Sequence, residues 1–274
     1  MYSKTALGFK YLKYYITASN GRGHGMHSPF VYDFITKVLR DRRNFYCYQT
    51  IEHLRDKMRY DNEMLTIEDF GAGSRVEKTK QRSVAAIAAS SLKPKKFSQL
   101  LFRMVNYYQP ANMLELGTSL GITSAYIASG KTDAPLITME GASAVAAIAR
   151  QNFVRLKLQH IQLVTGNFDE TLAGVIQQLS HQKNGGESSG IQFAFIDGNH
   201  RKEPTLRYFN QMLPQIKNDS ILIFDDIHWS EEMEAAWAEI QAHPSVTLTI
   251  DLFFIGIVFF RKEQLVKQHF TIRY

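Results

Sequence analysis

A glycine-containing turn stands near the middle of this 274-residue chain, at Glu115-Leu116-Gly117-Thr118-Ser119-Leu120-Gly121. Glycines let the backbone turn sharply from a strand into a helix and leave room for a ligand against the main chain. The free N–H groups at the start of the helix then face a negatively charged group. The G-x-x-x-G spacing differs from the G-x-G-x-x-G of nicotinamide and flavin binders. The turn therefore predicts a ligand site of another kind.

Two later predicted strands end in groups that suit a nucleoside. Glu140 lies 25 residues after Glu115 and ends the second predicted strand, where a carboxylate can accept hydrogen bonds from both ribose hydroxyls. Gly166-Asn167-Phe168 ends the third strand, where an amide and a ring could read and cover a purine. Three successive strand ends with suitable groups predict one site for a purine nucleoside.

Acidic residues and a histidine follow the next two predicted strands. Asp197 follows the fourth strand, and Asp225 with Asp226 follows the fifth. Because these strand ends should fall on the same rim of the sheet, the three carboxylates could converge and bind a hard divalent ion such as Mg²⁺. His200 follows Asp197 by three residues, and a histidine can accept a hydroxyl proton at neutral pH. The pattern indicates a site for proton transfer, with or without a metal.

Structural roles remain open for the same residues. Asp225 and Asp226 could satisfy backbone groups in the turn before the next helix. His200 could be a loop histidine that bonds the backbone. We expect His228 and Trp229, which follow the acidic pair, to pack in a substrate wall rather than to transfer protons.

The elements that position these groups alternate between strand and helix. The predicted strands are Asn112–Leu116, Pro135–Met139, Ile161–Thr165, Ile191–Ile196, Ser220–Phe224, Val246–Ile250 and Phe253–Phe260. Repeated β-α units predict a parallel sheet covered by helices on both faces, with ligand sites at the carboxyl ends of the strands. The predicted fold class is therefore α/β, a Rossmann-like doubly wound sheet, mostly parallel with an antiparallel last strand, plus an N-terminal mainly helical extension.

The chain is predicted to divide into residues 1–95, a mainly helical cap or substrate region, and residues 96–274, the main domain. Ser28 as N-cap with Pro29 in the first helical position predicts a helix start in the first region. A strand-like segment before Gly71-Ala72-Gly73-Ser74 imitates the ligand turn, but no acidic strand end follows at the right distance. We interpret this segment as a loop, either over the active site or a plain surface turn.

The ligand turn and the strand ends together resemble class I S-adenosylmethionine-dependent methyltransferases, whose first motif is an acidic residue, one position, then G-x-x-x-G. The resemblance covers residues 97–260. The acidic residues look like the catechol O-methyltransferase-like branch, where an aspartate and an Asp-Asn pair bind the metal. In that branch a lysine three residues after the first aspartate is the general base. In this chain the pair is Asp225-Asp226, and His200 stands in place of the lysine.

The resemblance implies a role for each group of residues. Glu115 and Gly117 would flank the methionine end of the cofactor, Glu140 would hold the ribose, and Asn167 and Phe168 would contact the adenine. The full cofactor-binding set is predicted as Glu115, Gly117, Thr118, Ser119, Gly121, Glu140, Asn167, Phe168 and Asp197. The predicted catalytic residues are His200 and Asp197. The predicted metal ligands are Asp197, Asp225 and Asp226.

These expectations favour an S-adenosylmethionine-dependent O-methyltransferase that acts on a small hydroxylated molecule, with a histidine general base and Mg²⁺ assistance. The positive charge prompts an alternative, a methyltransferase of RNA or another nucleic acid. Against it, Asp197-Gly198-Asn199-His200 stands where amino-methylating enzymes often carry Asn/Asp-Pro-Pro-aromatic. A second alternative is a non-catalytic protein that binds the cofactor or a membrane surface.

Composition sets further limits. Cys47 is the one cysteine, which excludes an intramolecular disulfide and a cysteine-based metal cluster and favours a cytoplasmic protein. The longest apolar run, Leu252–Phe260, is too short to span a membrane. The net charge is +6, and residues 1–50 carry eight Lys/Arg against Asp33 and Asp41. This basic segment could touch anionic lipid or nucleic acid, or be a solvated helical face.

Overall fold

The structure of the chain, a computed structural model, describes residues 1–19, 21–68, 79–181, 183–184, 187–188 and 190–274. In chain order its helices are α1 (Lys4–Thr17), α2 (Pro29–Asp33), α3 (Tyr48–Arg59), α4 (Val84–Ser91), α5 (Lys95–Tyr108), α6 (Ile122–Gly130), α7 (Ser143–Arg155), α8 (Phe168–His181), α9 (Lys202–Met212) and α10 (Glu231–Ala242). A π-helical segment, Phe34–Leu39, continues α2, and a 3₁₀ turn, Leu213–Gln215, follows α9.

The strands are β1 (Met64–Glu68), β2 (Thr79–Ser83), β3 (Met113–Leu116), β4 (Leu136–Glu140), β5 (Ile161–Thr165), β6 (Lys183–Asn184), β7 (Glu187–Ser188), β8 (Ile191–Ile196), β9 (Ile216–Asp225), β10 (Leu248–Asp251), β11 (Ile255–Phe259) and β12 (Gln268–Thr271). The chain folds into two compact units. Residues 41–175 form one, which we call the middle unit, and residues 1–40 with 176–274 form the other, the terminal unit.

In the middle unit, β4 lies between β3 and β5, and all three strands run parallel. Every residue of β3 is buried, as expected for a parallel strand that is covered on both faces. Side chains of α3, α4, α6 and α7 form one hydrophobic cluster in this unit. β1 and β2 pair as an antiparallel hairpin. The order β3-β4-β5 brings the carboxyl ends of these strands to a common edge.

In the terminal unit, the strand order is β12-β10-β11-β9-β8. β8 and β9 are parallel, as are β10 and β12, whereas β11 is antiparallel to both β9 and β10. The register pairs Ile196 with Phe224, so β8 and β9 end side by side. Whatever follows these two strands is therefore brought together.

The predicted α/β class with mostly parallel strands is confirmed, and the strand boundaries agree within a few residues. The expected antiparallel strand is β11. Ser28 accepts a hydrogen bond from the Val31 N–H and caps α2, also as predicted. The β1–β2 hairpin and β12 were missed because Thr79–Ser83 and Gln268–Thr271 are short and largely polar. The role of residues 1–95 as a cap stays a prediction.

Within the described ranges, no helix has both the length and the apolar character that crossing a membrane requires. The predicted loop at Gly71-Ala72-Gly73-Ser74 lies outside the described residues.

Candidate functional site

The turn after β3 is held by backbone geometry. Gly117 (φ 103°) and Gly121 (φ 80°) are left-handed, and so is Ser119 (φ 48°) between them. The N–H groups of Gly117 and Thr118 both donate to the Met139 carbonyl, each at 3.0 Å, which ties the turn to β4. A Cβ at Gly121 would stand 2.6 Å from Cε1 of Phe153, so both the conformation and the space call for glycine there.

The carboxylate of Glu115 lies beneath this turn and is fully buried. Its Oε2 accepts hydrogen bonds from Thr138 Oγ1 at 2.6 Å and from the Ser124 hydroxyl. Thr118 Oγ1 is in turn 2.6 Å from Thr138 Oγ1. Hydrogen bonds to a buried carboxylate offset the cost of removing it from water. Glu115 therefore joins β3, β4, α6 and the turn into one hydrogen-bonded unit.

Glu140, the last residue of β4, is fixed by two backbone N–H groups. Its Oε2 accepts from Ser119 at 2.8 Å, and its Oε1 accepts from Ala142 at 3.0 Å. The left-handed backbone of Ser119 belongs to the turn that presents this N–H. Burial raises the pKa of Glu140, although the backbone hydrogen bonds act against the rise. A carboxylate has about four lone-pair positions, so each oxygen can still accept a hydroxyl proton.

Beyond β5, Gly166, Asn167 and Phe168 start α8. The Gly166 N–H donates to the Glu140 carbonyl at 2.9 Å, with φ 141° at the glycine. Asn167 Oδ1 accepts from the Asp169 N–H at 3.1 Å, so the side-chain oxygen caps the helix. The amide nitrogen is then the group that Asn167 can offer to an adenine ring. Phe168 is half-buried at the first helical position.

In the terminal unit, three predicted residues come together where β8 and β9 end. Asp197, His200 and Asp225 each place one ligand atom within 4.8 Å of the others. His200 Nε2 lies 3.6 Å from Asp197 Oδ1, and Asp225 is buried. The parallel register of β8 and β9 explains why Asp197 and Asp225 meet. We call these three residues the acidic-histidine cluster.

Asp226 is not part of the acidic-histidine cluster. Its backbone is left-handed (φ 54°), its N–H donates to the Phe254 carbonyl at 2.7 Å, and its own carbonyl accepts from Trp229 at 2.9 Å. The residue thus forms a turn after β9. His200, which was predicted as a general base and not as a metal ligand, lies beside Asp197 and Asp225 instead.

His228 lies between two carboxylates, an arrangement that the sequence did not predict. Nε2 is 2.8 Å from Asp251 Oδ2, Nδ1 is 3.0 Å from Glu234 Oε1, and the ring stacks on Phe253 with centroids 5.2 Å apart. Burial would lower the pKa of His228, but hydrogen bonds and charge from Asp251 and Glu234 outweigh it and raise the pKa. The carboxylates come from distant parts of the chain, so no local motif signals this site.

Comparisons with known proteins concern the family and the fold. Residues 114–227 match the model of a family described as a methyltransferase domain. No curated protein matches the chain. Among solved structures, the chain is similar to the O-methyltransferase from Bacillus cereus in complex with SAH, at 19% identity and a TM-score of 0.53, covering 80% of this chain and 93% of the other.

Two further solved structures have the same fold at low identity. One is the SAH-bound methyltransferase PaMTH1 from Podospora anserina, at 12% identity and a TM-score of 0.53, covering 80% of this chain and 99% of the other. The second is the O-methyltransferase TomG from Streptomyces achromogenes, involved in tomaymycin synthesis and in complex with SAM. It is 16% identical with a TM-score of 0.50, covering 62% of this chain and 82% of the other.

Proposed function

We propose that this chain, whose residues 114–227 match a methyltransferase-domain family, uses S-adenosylmethionine to methylate an oxygen atom of a small hydroxylated molecule. The observation that carries the proposal is the acidic-histidine cluster, since an imidazole beside two carboxylates suits the removal of a hydroxyl proton. The solved structures named above include two O-methyltransferases, which supports oxygen as the acceptor atom.

The donor side of the reaction is assigned to the middle unit. Glu140 is proposed to accept hydrogen bonds from the ribose hydroxyls, and Asn167 and Phe168 to contact the adenine. Glu115 is buried beneath the turn, so we assign it a positioning role for the backbone of Gly117, Thr118 and Ser119. Gly121 gives the chain room to enter α6. When bound, S-adenosylmethionine supplies an electrophilic methyl group on a positively charged sulfur.

The acceptor side is assigned to the terminal unit. His200 is proposed to take the proton of the acceptor hydroxyl, which leaves a more nucleophilic oxygen. Asp197, 3.6 Å from His200 Nε2, would stabilise the imidazolium that results. The remaining task of the protein is alignment, because in-line transfer needs the oxygen placed behind the methyl carbon.

The acidic-histidine cluster could alternatively bind a divalent cation. A cation there would lower the pKa of an acceptor hydroxyl. The sequence predicted an all-carboxylate set of Asp197, Asp225 and Asp226 for Mg²⁺, but two carboxylates with an imidazole fit Mn²⁺ or Zn²⁺ better. His200 cannot hold a metal and accept a proton through the same nitrogen, so the two uses can be separated.

The cation is tested by calorimetric titration of Mn²⁺ and Mg²⁺ into the full chain. If the cluster binds metal, Asp225→Asn should weaken Mn²⁺ binding at least about tenfold, since a charged ligand is lost. Asp226→Asn, the adjacent change, should leave it within about twofold. Loss of binding in both variants would return Asp226 to the metal site. Absence of binding in the wild type would leave His200 as a base without metal.

The reaction itself is tested by incubating the protein with S-adenosylmethionine and a panel of small phenols and alcohols. The demethylated product is quantified, and the position of the new methyl group is determined by mass spectrometry and NMR. We expect transfer to oxygen in at least one compound, with no transfer to RNA. Methylation of nitrogen in an RNA substrate, with none of the small molecules modified, would contradict the proposal.

A further inference from the structure

Helix α1 is apolar on two faces, and only one of them is covered. On the inner face, Tyr14 and Ala18 are buried against Phe253. On the other face, Phe9, Leu12 and Ile16 are exposed by 70%, 54% and 67%. The spacing of three and four residues places these three side chains in one line along the helix. We call them the outer stripe.

The charges around the outer stripe are positive. Lys4 and Lys13 are exposed on α1, and the sequence contains no Asp or Glu before Asp33. The third lysine of the helix has another use, because Lys10 Nζ forms a salt bridge with Glu234 at 3.0 Å. The outward charge of α1 is therefore purely cationic, and it accompanies a row of large apolar side chains.

We propose that the outer stripe docks on an anionic lipid surface, with α1 lying in the plane of the membrane interface. Phe9, Leu12 and Ile16 would enter the boundary between headgroups and acyl chains, while Lys4 and Lys13 pair with lipid phosphates. Interfacial helices combine these two features, apolar residues on one face and lysines beside them. At 1.5 Å per residue, this 14-residue helix is about 21 Å long.

The charges disfavour the other candidate occupants. A second copy that docked stripe to stripe would bring the lysines of two α1 helices together, and like charges repel. A nucleic acid would pair with the lysines but would leave the outer stripe in contact with sugar and phosphate. A lipid surface satisfies both the apolar and the cationic groups.

Side-chain hydrogen bonds and a salt bridge join α1 to the rest of the terminal unit. Within the terminal unit, Tyr14 Oη donates to the Ile272 carbonyl at 2.5 Å. Tyr2 Oη donates to Glu234 at 2.7 Å, beside the salt bridge from Lys10. Docking through α1 would therefore carry the terminal unit with it rather than extend a loose tail.

The test is co-sedimentation of the full chain with vesicles of phosphatidylcholine alone and with a mixture containing roughly one third phosphatidylglycerol. We expect binding to the anionic vesicles that weakens as salt is added, and at least about tenfold weaker binding to the neutral ones. Equal binding to both vesicles, or none to either, would overturn the proposal.

Variants of the outer stripe and a matched control distinguish docking through the stripe from non-specific binding to vesicles. Leu12→Glu with Ile16→Glu should weaken vesicle binding by at least about a hundredfold, because each change removes a large apolar contact. Lys4→Gln and Lys13→Gln should each weaken it about fivefold. The matched control is Val154→Glu on α7, a residue that is 78% exposed, which should bind as the wild type does. If the control loses binding equally, the stripe is not the docking surface.

A fluorescent probe on the outer stripe gives a second measurement, which reports contact with lipid directly and does not rely on the loss of vesicle binding. Phe9→Cys can be labelled with a polarity-sensitive dye, because the native Cys47 is buried and its pKa is raised to about 11 by that burial. The dye should shift to the blue on anionic vesicles, and the same dye at Val154→Cys should not. Cofactor binding is measured in parallel and should stay unchanged in all variants. A shift produced by RNA or by self-association without lipid would assign the stripe to another partner.

Discussion

The ligand turn in the middle unit and the acidic-histidine cluster in the terminal unit differ in what holds them. The turn depends on backbone: three left-handed residues, two N–H groups bonded to Met139, and Glu140 bonded to the N–H groups of Ser119 and Ala142. The cluster depends on side chains that project from two strand ends. A backbone motif can be recognised from consecutive residues. The convergence of side chains depends instead on the register of the strands and on the direction in which each side chain points.

The largest expected effect is on the cluster. His200→Ala should lower the rate of methyl transfer by about a hundredfold to ten-thousandfold, the range typical of a lost general base. The dissociation constant of the cofactor should stay within about twofold of the wild-type value, because Glu140 and the ligand turn belong to the middle unit and not to the acidic-histidine cluster. Rates at saturating cofactor and calorimetry together check this. An equal loss in cofactor binding would show that the two groups cannot be separated.

The second effect breaks the turn through its backbone. Gly121→Val should lower the free energy of unfolding by about 3 kcal/mol, because it combines a left-handed residue with a collision against Phe153. Urea denaturation measures the loss.

Gly174→Ala is the matched control, since the Cβ it adds on α8 meets no atom within 4 Å beyond its chain neighbours and the nearby backbone of its own helix. We expect it to keep or raise stability by up to about 1 kcal/mol. If both glycine changes cost the same, the steric account of the turn is wrong.

This contrast explains how much of the molecule could be predicted. Strand order along the chain, the turn at Glu115–Gly121 and the capping of α2 by Ser28 follow from local spacing. The position of Asp226 could not be predicted, because nothing in the pair Asp225-Asp226 indicates which residue ends the strand and which begins the turn. The partners of His228, Glu234 and Asp251, are distant in sequence, so only the fold brings them together.

A smaller effect sharpens the role of Glu140. Glu140→Gln should weaken cofactor binding about tenfold to a hundredfold, because a neutral amide oxygen accepts ribose hydroxyls less strongly than a carboxylate. Glu63→Gln, at an exposed carboxylate of the same unit, should leave the affinity unchanged. Calorimetry compares the two. Unaltered binding in Glu140→Gln would remove this residue from the proposed ribose site.

The smallest effect concerns pH. Burial raises the pKa of Glu140 above its ordinary 4.5, so its charge is lost at a higher pH than that of an exposed glutamate. Cofactor affinity should therefore begin to fall, by severalfold, while the pH is still above 4.5. The same shift means that folding binds a proton in this window, so the contribution of Glu140 to stability falls as pH rises through it.

The control for the pH experiment is Glu140→Gln, which cannot titrate. The cofactor affinity of this variant is weaker throughout and should not fall further as the pH is lowered, as that of the wild type does. An identical acid limb in both proteins would assign the pH dependence to another group.

The ligand turn is proposed to bind S-adenosylmethionine. The most direct test is calorimetric titration of the full chain with S-adenosylmethionine and with its demethylated product. We predict one site per chain for each compound and marked weakening in Glu140→Gln. Heat changes no larger than those of dilution, for both compounds and at protein concentrations far above micromolar, would contradict the account.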